Sequence, residues 1–360
     1  MRLSNRLFLL PACAASVILL AACGSSAAAP ASPSASASAV ASAAPAKPAA
    51  SAEAKPSGAS AAAKPAASGT THVVVGVTSK STGSLYLYVG KDLGIFAKHG
   101  LDPEFVVGQS DALVAGLSKG DMEFMGTIPS AIQGAEKGLP MRVIFVAKDH
   151  PEYLLVGDKG VTEVSQLKGK QIAGSNPAQL PTLMANALLS IDGLQPSDYT
   201  IVSVQNDPAR AALVENHRVA AGILGVSEAL PLLNDGHPII DSTISKVWTP
   251  SSGLATTVDL MKNRKALVQN MVDAAVEAAK VTATDRQQTV GVLEQEFGLS
   301  EADSGKLFDL LKPSYTNGGR PDPRAIQNQI ETDAKAMELP KPATEDQIYD
   351  YSFLAGAAQK

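Results

Sequence analysis

Short apolar runs alternate with amphipathic helical patterns along most of this chain, and the alternation restricts the folds open to it. Residues 73–77 form a continuously apolar run, as in strands that are buried on both faces. Helical patterns separate it from further strand-like runs at 104–107, 122–125 and 141–146. Strands that alternate with helices form parallel sheets covered by helices on both faces. The sequence therefore predicts an α/β protein.

The order of these elements recurs about 97 residues further along the chain. In this comparison Val214 corresponds to Leu117, and Ser227 corresponds to Ser130. Two similar lobes facing each other would enclose a cleft. Predicted strands at 239–241 and 254–257 bring the chain back, so at least two crossings would form a hinge.

These patterns define the predicted division of the chain. We expect lobe 1 over residues 71–150 and lobe 2 over residues 151–243, each with a mainly parallel sheet flanked by helices. A return strand and C-terminal helices over residues 244–360 are expected to pack on lobe 1 and the hinge.

The first 23 residues have the pattern of an export signal. Arg2 and Arg6 precede an apolar run over residues 7–20, which is too short for a comfortable membrane span. The run ends in Leu-Ala-Ala-Cys-Gly, which resembles the lipobox of bacterial lipoproteins and implies acylation at Cys23. The alternative is an ordinary cleavage site that contains a cysteine. The only other cysteine is Cys13, inside the signal, so the mature chain would have no disulfide.

Residues 24–70 consist almost entirely of Ala, Ser, Pro, Lys and Gly. Such a composition buries too little apolar surface to offset the entropy lost on ordering. We expect a disordered linker that spans roughly 40 Å as a coil. With Cys23 acylated, it would tether the body to the lipid bilayer on the extracytoplasmic face.

Several function classes fit the composition poorly. The net charge of -5 comes without a basic stripe, which argues against a nucleic-acid partner. The five histidines show no paired spacing, so no metal and no cofactor is expected. Ser227 lacks the glycine two residues later that a nucleophile elbow requires. We expect a monomeric binding protein and not an enzyme.

Polar residues at predicted strand ends and helix starts are the candidate ligand contacts. They are Ser81, Thr82, Gly83, Thr127, Ile128 and Ser130 in lobe 1, His150 at the first crossing, and Ser175, Asn176, Gln179, Asn206, Asp207 and Ser227 in lobe 2. Helix N-termini favour an anionic ligand group. Asp207 favours a donor or a cation instead, unless it only caps a helix. His150 could contact the ligand or belong to the hinge.

Residues 87–101, Leu-Tyr-Val-Gly-Lys-Asp-Leu-Gly-Ile-Phe-Ala-Lys-His-Gly-Leu, carry a family resemblance. They are similar to a segment of the substrate-binding proteins of ABC importers in the SsuA/THI5-like (NMT1-like) family. Residues 108–146, 164–174 and 348–353 extend the similarity, although the acidic residue that the family usually has near Val219 is missing. The resemblance implies a two-lobed periplasmic-binding-protein type II fold.

The same resemblance implies a function. The chain is expected to capture a small organic solute, sulfonate-, nitrate- or pyrimidine-like, and to deliver it to an ABC permease. The alternative is a binding module that senses a ligand for a signalling partner without transport. The residues leave the identity and charge of the solute open.

Overall fold

The computed structural model describes residues 69–177, 179–204 and 206–357. The predicted signal peptide, Cys23 and nearly all of the predicted linker lie outside these residues. All described residues belong to one structural unit. Among them, no helix combines the length and the apolar character needed to cross a membrane.

Ten strands and fifteen α-helices make up the regular structure of the described residues. The strands are β1 (Thr71–Val77), β2 (Leu101–Val107), β3 (Phe124–Met125), β4 (Met141–Lys148), β5 (Tyr153–Gly157), β6 (Gln171–Gly174), β7 (Thr200–Ser203), β8 (Ala221–Gly225), β9 (Ile239–Ser242) and β10 (Ser252–Thr257). The helices are α1 (Leu85–Asp92), α2 (Ile95–Lys98), α3 (Ser110–Lys119), α4 (Pro129–Glu136), α5 (Leu180–Ile191), α6 (Asp207–Glu215), α7 (Val226–Asn234), α8 (Thr243–Lys246), α9 (Val258–Asn263), α10 (Lys265–Thr284), α11 (Arg286–Phe297), α12 (Glu301–Leu311), α13 (Pro323–Ala336), α14 (Glu345–Ile348) and α15 (Leu354–Ala357).

The strands form two five-stranded sheets, one in each lobe. The first has the order β2-β1-β3-β10-β4, and β10 runs antiparallel to both of its neighbours. The second has the order β7-β6-β8-β5-β9, and β5 runs antiparallel to both of its neighbours. The other adjacent pairs are parallel. Each sheet is therefore mainly parallel, as predicted, with a single reversed strand.

Burial on both faces explains the apolar strands of lobe 1. Val73, Val75 and Val77 of β1 pack in the core beneath α10, whereas Val74 packs against the core on the other face of the sheet. Helices cover both faces, so neither face can be polar.

The chain crosses between the sheets twice, which confirms the predicted hinge. The first crossing leads from β4 to β5, and the second leads from β9 through α8 to β10. His150 lies in the first crossing. Its Nδ1 is 2.8 Å from the Val247 carbonyl oxygen, and its ring lies 4.0 Å from the Trp248 ring. His150 therefore joins the two crossings.

The C-terminal helices contact both lobes. Met271 and Ala275 of α10 belong to the core of lobe 1. Leu307 and Leu311 of α12 belong instead to a core cluster with Leu230 of α7 in lobe 2. Lobe 2 needs this apolar cover on one face, so the region after the return strand packs more widely than predicted.

Several predicted element bounds differ from the structure, and two of the differences have a clear cause. The strand predicted at 122–125 contains only Phe124 and Met125, because Met122 packs among helix side chains of the core next to α3. The apolar spacing over residues 262–283 predicts one long helix, but this helix begins at Lys265. Arg264 lies between α9 and α10 with a non-helical backbone, φ -129° and ψ 48°.

A buried pair of carboxyl groups lies between α4 and α13. Neither side-chain oxygen of Glu136 is exposed, and the carboxyl group of Asp333 is a neighbour of the Glu136 carboxyl group. Burial raises the pKa of Glu136 to about 8, and the charge of Asp333 contributes in the same direction. Burial also raises the pKa of Asp333. The pair therefore retains a proton near neutral pH.

This pair predicts a pH-dependent stability. From its ordinary pKa of 4.5 to about pH 8, Glu136 loses its proton in the unfolded chain but keeps it in the folded chain. The free energy of unfolding should therefore fall as the pH rises through this window. We expect Glu136→Gln to be more stable than the wild type by about 1 kcal/mol or more at pH 8, and by much less at pH 4.5. Urea denaturation at both values measures this.

The matched control is Glu331→Gln, because Glu331 is exposed on the same α13. We expect no change in its pH dependence. An equal effect of both substitutions would show that general charge repulsion, and not the buried pair, sets the slope.

Candidate functional site

A cavity of about 430 Å³ lies between the two lobes. Its lobe 1 wall comes from the ends of β1 and β3, and its lobe 2 wall comes from the starts of α5, α6 and α7. The lining residues are Thr78, Ser79, Ser81, Thr82, Gly83, Thr127, Pro129, Pro151, Glu152, Tyr153, Leu180, Asp207, Pro208, Gly225, Ser227, Glu228 and Ser251. Open α/β sheets place ligands at such strand ends.

The lobe 1 wall is held by contacts between neighbouring strand ends. β1 and β3 are parallel neighbours, so Thr78 and Thr127 follow them at the same edge of the sheet. The Thr78 backbone N–H donates to the Thr127 hydroxyl oxygen at 3.2 Å, and the two hydroxyl oxygens are 3.3 Å apart. This places polar groups on a rigid support.

A buried ion pair forms the floor of the cavity at the hinge. Lys148 is fully buried, and its Nζ donates to the Glu152 carboxylate and, at 2.7 Å, to the Thr82 carbonyl oxygen. The Thr82 hydroxyl donates to the other Glu152 oxygen at 3.1 Å. Burial lowers the pKa of Lys148, and the Glu152 carboxylate opposes that shift. Because Lys148 ends β4 and Glu152 precedes β5, the pair fixes one lobe against the other.

A second ion pair supports the lobe 2 wall. Arg210 is buried and pairs with Asp207, and its Nε donates to the Ile223 carbonyl oxygen at 3.0 Å. Burial lowers the pKa of Arg210. Asp207 also accepts a hydrogen bond of 2.8 Å from the Gly225 backbone N–H. These contacts hold the starts of α6 and α7 together.

The interpretation of Asp207 as a helix cap is wrong. The cap of α6 is Asn206, whose side-chain oxygen accepts from the Ala209 backbone N–H at 2.9 Å. Asp207 is the first helical residue, so its carboxylate is free to turn toward Gly225 and the cavity.

Six of the thirteen predicted contact residues line the cavity. They are Ser81, Thr82, Gly83, Thr127, Asp207 and Ser227. Both lobes contribute, so the structure brings the two predicted groups of loops to one shared space.

In lobe 1 and the hinge, three predicted contact residues do not line the cavity. Ile128 is fully buried and packs in the core with Ile132. The Ser130 hydroxyl is buried and has no hydrogen-bond partner among the described residues. His150 contacts the second crossing, which agrees with its hinge interpretation. Apolar packing on α4 turns the first two away from the cleft.

In lobe 2, four predicted contact residues make local contacts instead of lining the cavity. Asn206 caps α6. Ser175 is buried, and its backbone N–H donates to the Thr182 hydroxyl oxygen at 2.8 Å. The Asn176 backbone N–H donates to the Gln179 side-chain oxygen at 3.4 Å, just before α5 begins. These polar groups organise the loop before α5 and the start of α6.

Sequence reasoning missed several residues of the wall. Thr78, Glu152, Tyr153, Glu228 and Ser251 line the cavity. Glu152 directly follows the predicted first crossing, and Glu228 directly follows the predicted contact Ser227. The sequence could have indicated these two residues, because each lies next to a feature that the sequence predicts. The partner Lys148 is only four residues from Glu152, but the Thr82 hydroxyl that also donates to Glu152 comes from a distant part of the sequence.

A second, more apolar cavity of about 710 Å³ adjoins the first. The two share Pro129, Pro151, Leu180 and Ser251. Its walls include the single tryptophan, Trp248, and one face of α5 with Leu183, Ala187 and Ile191. The apolar spacing of this face predicts packing in a core, but Ile191 is 55% exposed. The apolar residues of α5 do recur at helical spacing, and part of the face that they form lies toward an open space between the lobes.

Residues 81–289 match the sequence model of the family described as NMT1/THI5 like. The chain belongs to this NMT1/THI5-like family. The resemblance seen in residues 87–101 is thereby confirmed. No curated protein matches the chain.

Solved structures show the same fold as this NMT1/THI5-like chain. The periplasmic aliphatic sulphonate binding protein SsuA from Escherichia coli has a TM-score of 0.65 at 18% identity, over 79% of this chain and 99% of that chain. The periplasmic nitrate-binding protein NrtA from Synechocystis PCC 6803 has a TM-score of 0.56 at 15% identity, over 81% of this chain and 89% of that chain. The predicted two-lobed periplasmic-binding-protein type II fold is confirmed.

An enzyme shares this fold as well. The desulfurization enzyme DSZB has a TM-score of 0.60 at 17% identity, over 80% of this chain and 99% of that chain. The fold therefore does not separate binding from catalysis. Within the part of the chain that the structure describes, no group of three or more Cys, His, Asp or Glu residues could hold a metal ion.

Proposed function

We propose that this NMT1/THI5-like protein captures a small solute between its lobes and delivers it to the membrane permease of an ABC importer. The observation that carries the proposal is the 430 Å³ cavity at the strand ends of both lobes. Hydroxyl groups reach it from both sides, through Thr127 in lobe 1 and Ser227 in lobe 2. A solute that contacts both walls favours closure about the two-crossing hinge.

The proposal includes a lipid anchor and a binding role without chemistry. Acylation at Cys23, followed by the linker over residues 24–70, would keep a monomeric receptor beside its permease on the extracytoplasmic face. The cavity-lining residues include no Cys and no His, so none of the serines there has a lining histidine as a base. This composition favours a receptor over a hydrolase.

Ser227→Ala should weaken solute binding without unfolding the protein. Ser227 lines the cavity in the first turn of α7, and its hydroxyl makes no hydrogen bond with other described residues. Loss of one neutral hydrogen bond to solute should raise Kd by about fivefold to tenfold, or roughly 1 kcal/mol. A solute is first identified by thermal shift, because a bound solute raises Tm. Titration calorimetry with that solute then measures Kd.

The control is Ser165→Ala, since Ser165 is exposed in lobe 2 far from the lining residues in sequence. Both variants should unfold within about 0.5 kcal/mol of the wild type. An unchanged Kd in Ser227→Ala would show that the lobe 2 wall is not part of the binding site. Strong destabilisation would show a structural role instead.

A further inference from the structure

The charged residues that line the 430 Å³ cavity are all acidic among those that the structure describes. They are Glu152, Asp207 and Glu228, and no described lining residue of this cavity is Lys, Arg or His. Two cations, Lys148 and Arg210, pair with these acids from behind the wall, and their side chains are 0% and 1% exposed. A solute in the cavity therefore meets carboxylates directly.

The cations do not balance all three carboxylates. Lys148 pairs with Glu152. Arg210 pairs with Asp207 and also attracts Glu228. Glu228 itself accepts no hydrogen bond and forms no ion pair within 4 Å among the described residues. One guanidinium thus faces two carboxylates, which leaves a net negative charge on the lobe 2 wall.

These two carboxylates converge on Gly225. A Cβ atom placed on Gly225 would lie 2.6 Å from Glu228 Oε2 and 2.9 Å from Asp207 Oδ2, which is too close for a side chain there. The two oxygens are therefore at most about 5.5 Å apart. Both residues line the cavity, so a solute can contact the pair. Two acceptors at this spacing can share one multiply protonated nitrogen.

Two of the three helix N-termini on this wall, those of α6 and α7, already face anions. Asp207 accepts from the Gly225 backbone N–H, and Glu228 lies in the first turn of α7. Their carboxylates occupy the places where helix dipoles would attract an anionic ligand. In lobe 1 the helices α3 and α4 start 97 residues earlier than α6 and α7, at Ser110 and Pro129.

This offset of 97 residues shows that the acidity belongs to one lobe. By it, Asp207 corresponds to Ser110 and Glu228 corresponds to Ala131. The shared architecture therefore does not require a carboxylate at either position. The two acids are a feature of the lobe 2 wall of this chain.

We propose that the solute carries a protonated amine or a similar cationic N–H group, which binds to the carboxylates of Glu228 and Asp207 beside Gly225. Glu228 then determines specificity, because it is the carboxylate without a cation of its own. The inference rests on the proposed receptor function and names the chemical class of its solute. The lobe 1 hydroxyls of Thr82 and Thr127 lie opposite and suit the neutral polar part of such a solute. A bare sulfonate or nitrate would be repelled at the lobe 2 wall.

The test compares matched cations and anions by thermal shift on the full chain at pH 7. The cationic probes are benzylamine, ethanolamine, agmatine and 1,4-diaminobutane, and the anionic probes are benzenesulfonate, ethanesulfonate and nitrate, each at about 10 mM. We expect at least one amine to raise Tm and none of the anions to do so. For the responding amine, Glu228→Gln should raise Kd by about tenfold or more. Glu331→Gln removes the same charge from an exposed site and should leave Kd unchanged.

The outcomes separate this inference from the receptor proposal. Stabilisation by an anion alone would overturn the cationic solute and leave a solute receptor standing. Equal amine affinity in Glu228→Gln, with its unliganded Tm unchanged, would overturn the role of Glu228. A chain that responds to neither series also contradicts the inference. The receptor proposal fails only if two results are both negative: the chain responds to neither series, and the protein purified from its own cells releases no small molecule on unfolding.

Discussion

Lys148→Met should destabilise the protein by about 3 to 5 kcal/mol, which is the usual cost of leaving one partner of a buried ion pair alone. Lys148 is 0% exposed, and the side chain of its partner Glu152 is only 9% exposed. The substitution also removes the donor to the Thr82 carbonyl oxygen and the cation that lies 4.6 Å from the centre of the Tyr315 ring. Urea denaturation measures the change in the free energy of unfolding.

The double variant Lys148→Met with Glu152→Gln is the informative control. It removes the uncompensated carboxylate as well, so we expect it to recover a large part of the lost stability. If the double variant loses as much free energy of unfolding as the two single variants lose together, the charges act independently. In that case the pair would not be the element that joins the lobes at the cavity floor.

Gly253→Ala should cost about 3 kcal/mol for a different reason. A Cβ atom on Gly253 would lie 2.1 Å from the Phe145 carbonyl oxygen and 2.9 Å from the Val146 Cα. Both atoms belong to the backbone of β4, so a buried strand that is paired with β10 would have to move. The Gly253 carbonyl oxygen also accepts from the Tyr86 hydroxyl at 2.7 Å. Urea denaturation again gives the free energy of unfolding.

Gly291→Ala is the matched control for this substitution. Gly291 is exposed within α11, and nothing lies within 4 Å of the position of its missing Cβ. Alanine is the better helix former, so stability should increase by about 0.5 to 1 kcal/mol. Similar losses in both variants would mean that the close approach of β10 to β4 is not what excludes a side chain at Gly253.

Local patterns predicted the fold because the fold is repeated and regular. The sequence alone shows the apolar runs, the helical pattern of α5 from Leu180 to Ile191, and the offset of about 97 residues. They indicate two similar lobes, and the crossings between the lobes follow from the return of the chain to β10. Bounds were less accurate where packing set them, as at the short strand β3.

The site was harder to predict because local patterns do not show which groups an acidic side chain will contact in the folded chain. Hydroxyl residues at strand ends, such as Ser81 and Thr127, could be placed on the wall from local signals. The place of Asp207 depends on Arg210 and on Gly225, which follows 18 residues later in another element. Nothing in the local sequence indicated that Asn206 caps α6 and that Asp207 faces the cleft.

Closure of the cleft can be measured directly as a distance between the lobes. The variant carries Asp111→Cys in lobe 1 and Ser203→Cys in lobe 2, both at exposed positions. Cys13 and Cys23 are replaced by Ser, so spin labels attach only at the two new cysteines. Pulsed electron resonance would compare the protein alone with the protein saturated by a solute that raises its Tm. We expect a shorter and narrower distance distribution with the solute, because the lobes rotate about the hinge to enclose it. An unchanged distribution at saturation would contradict capture between the lobes.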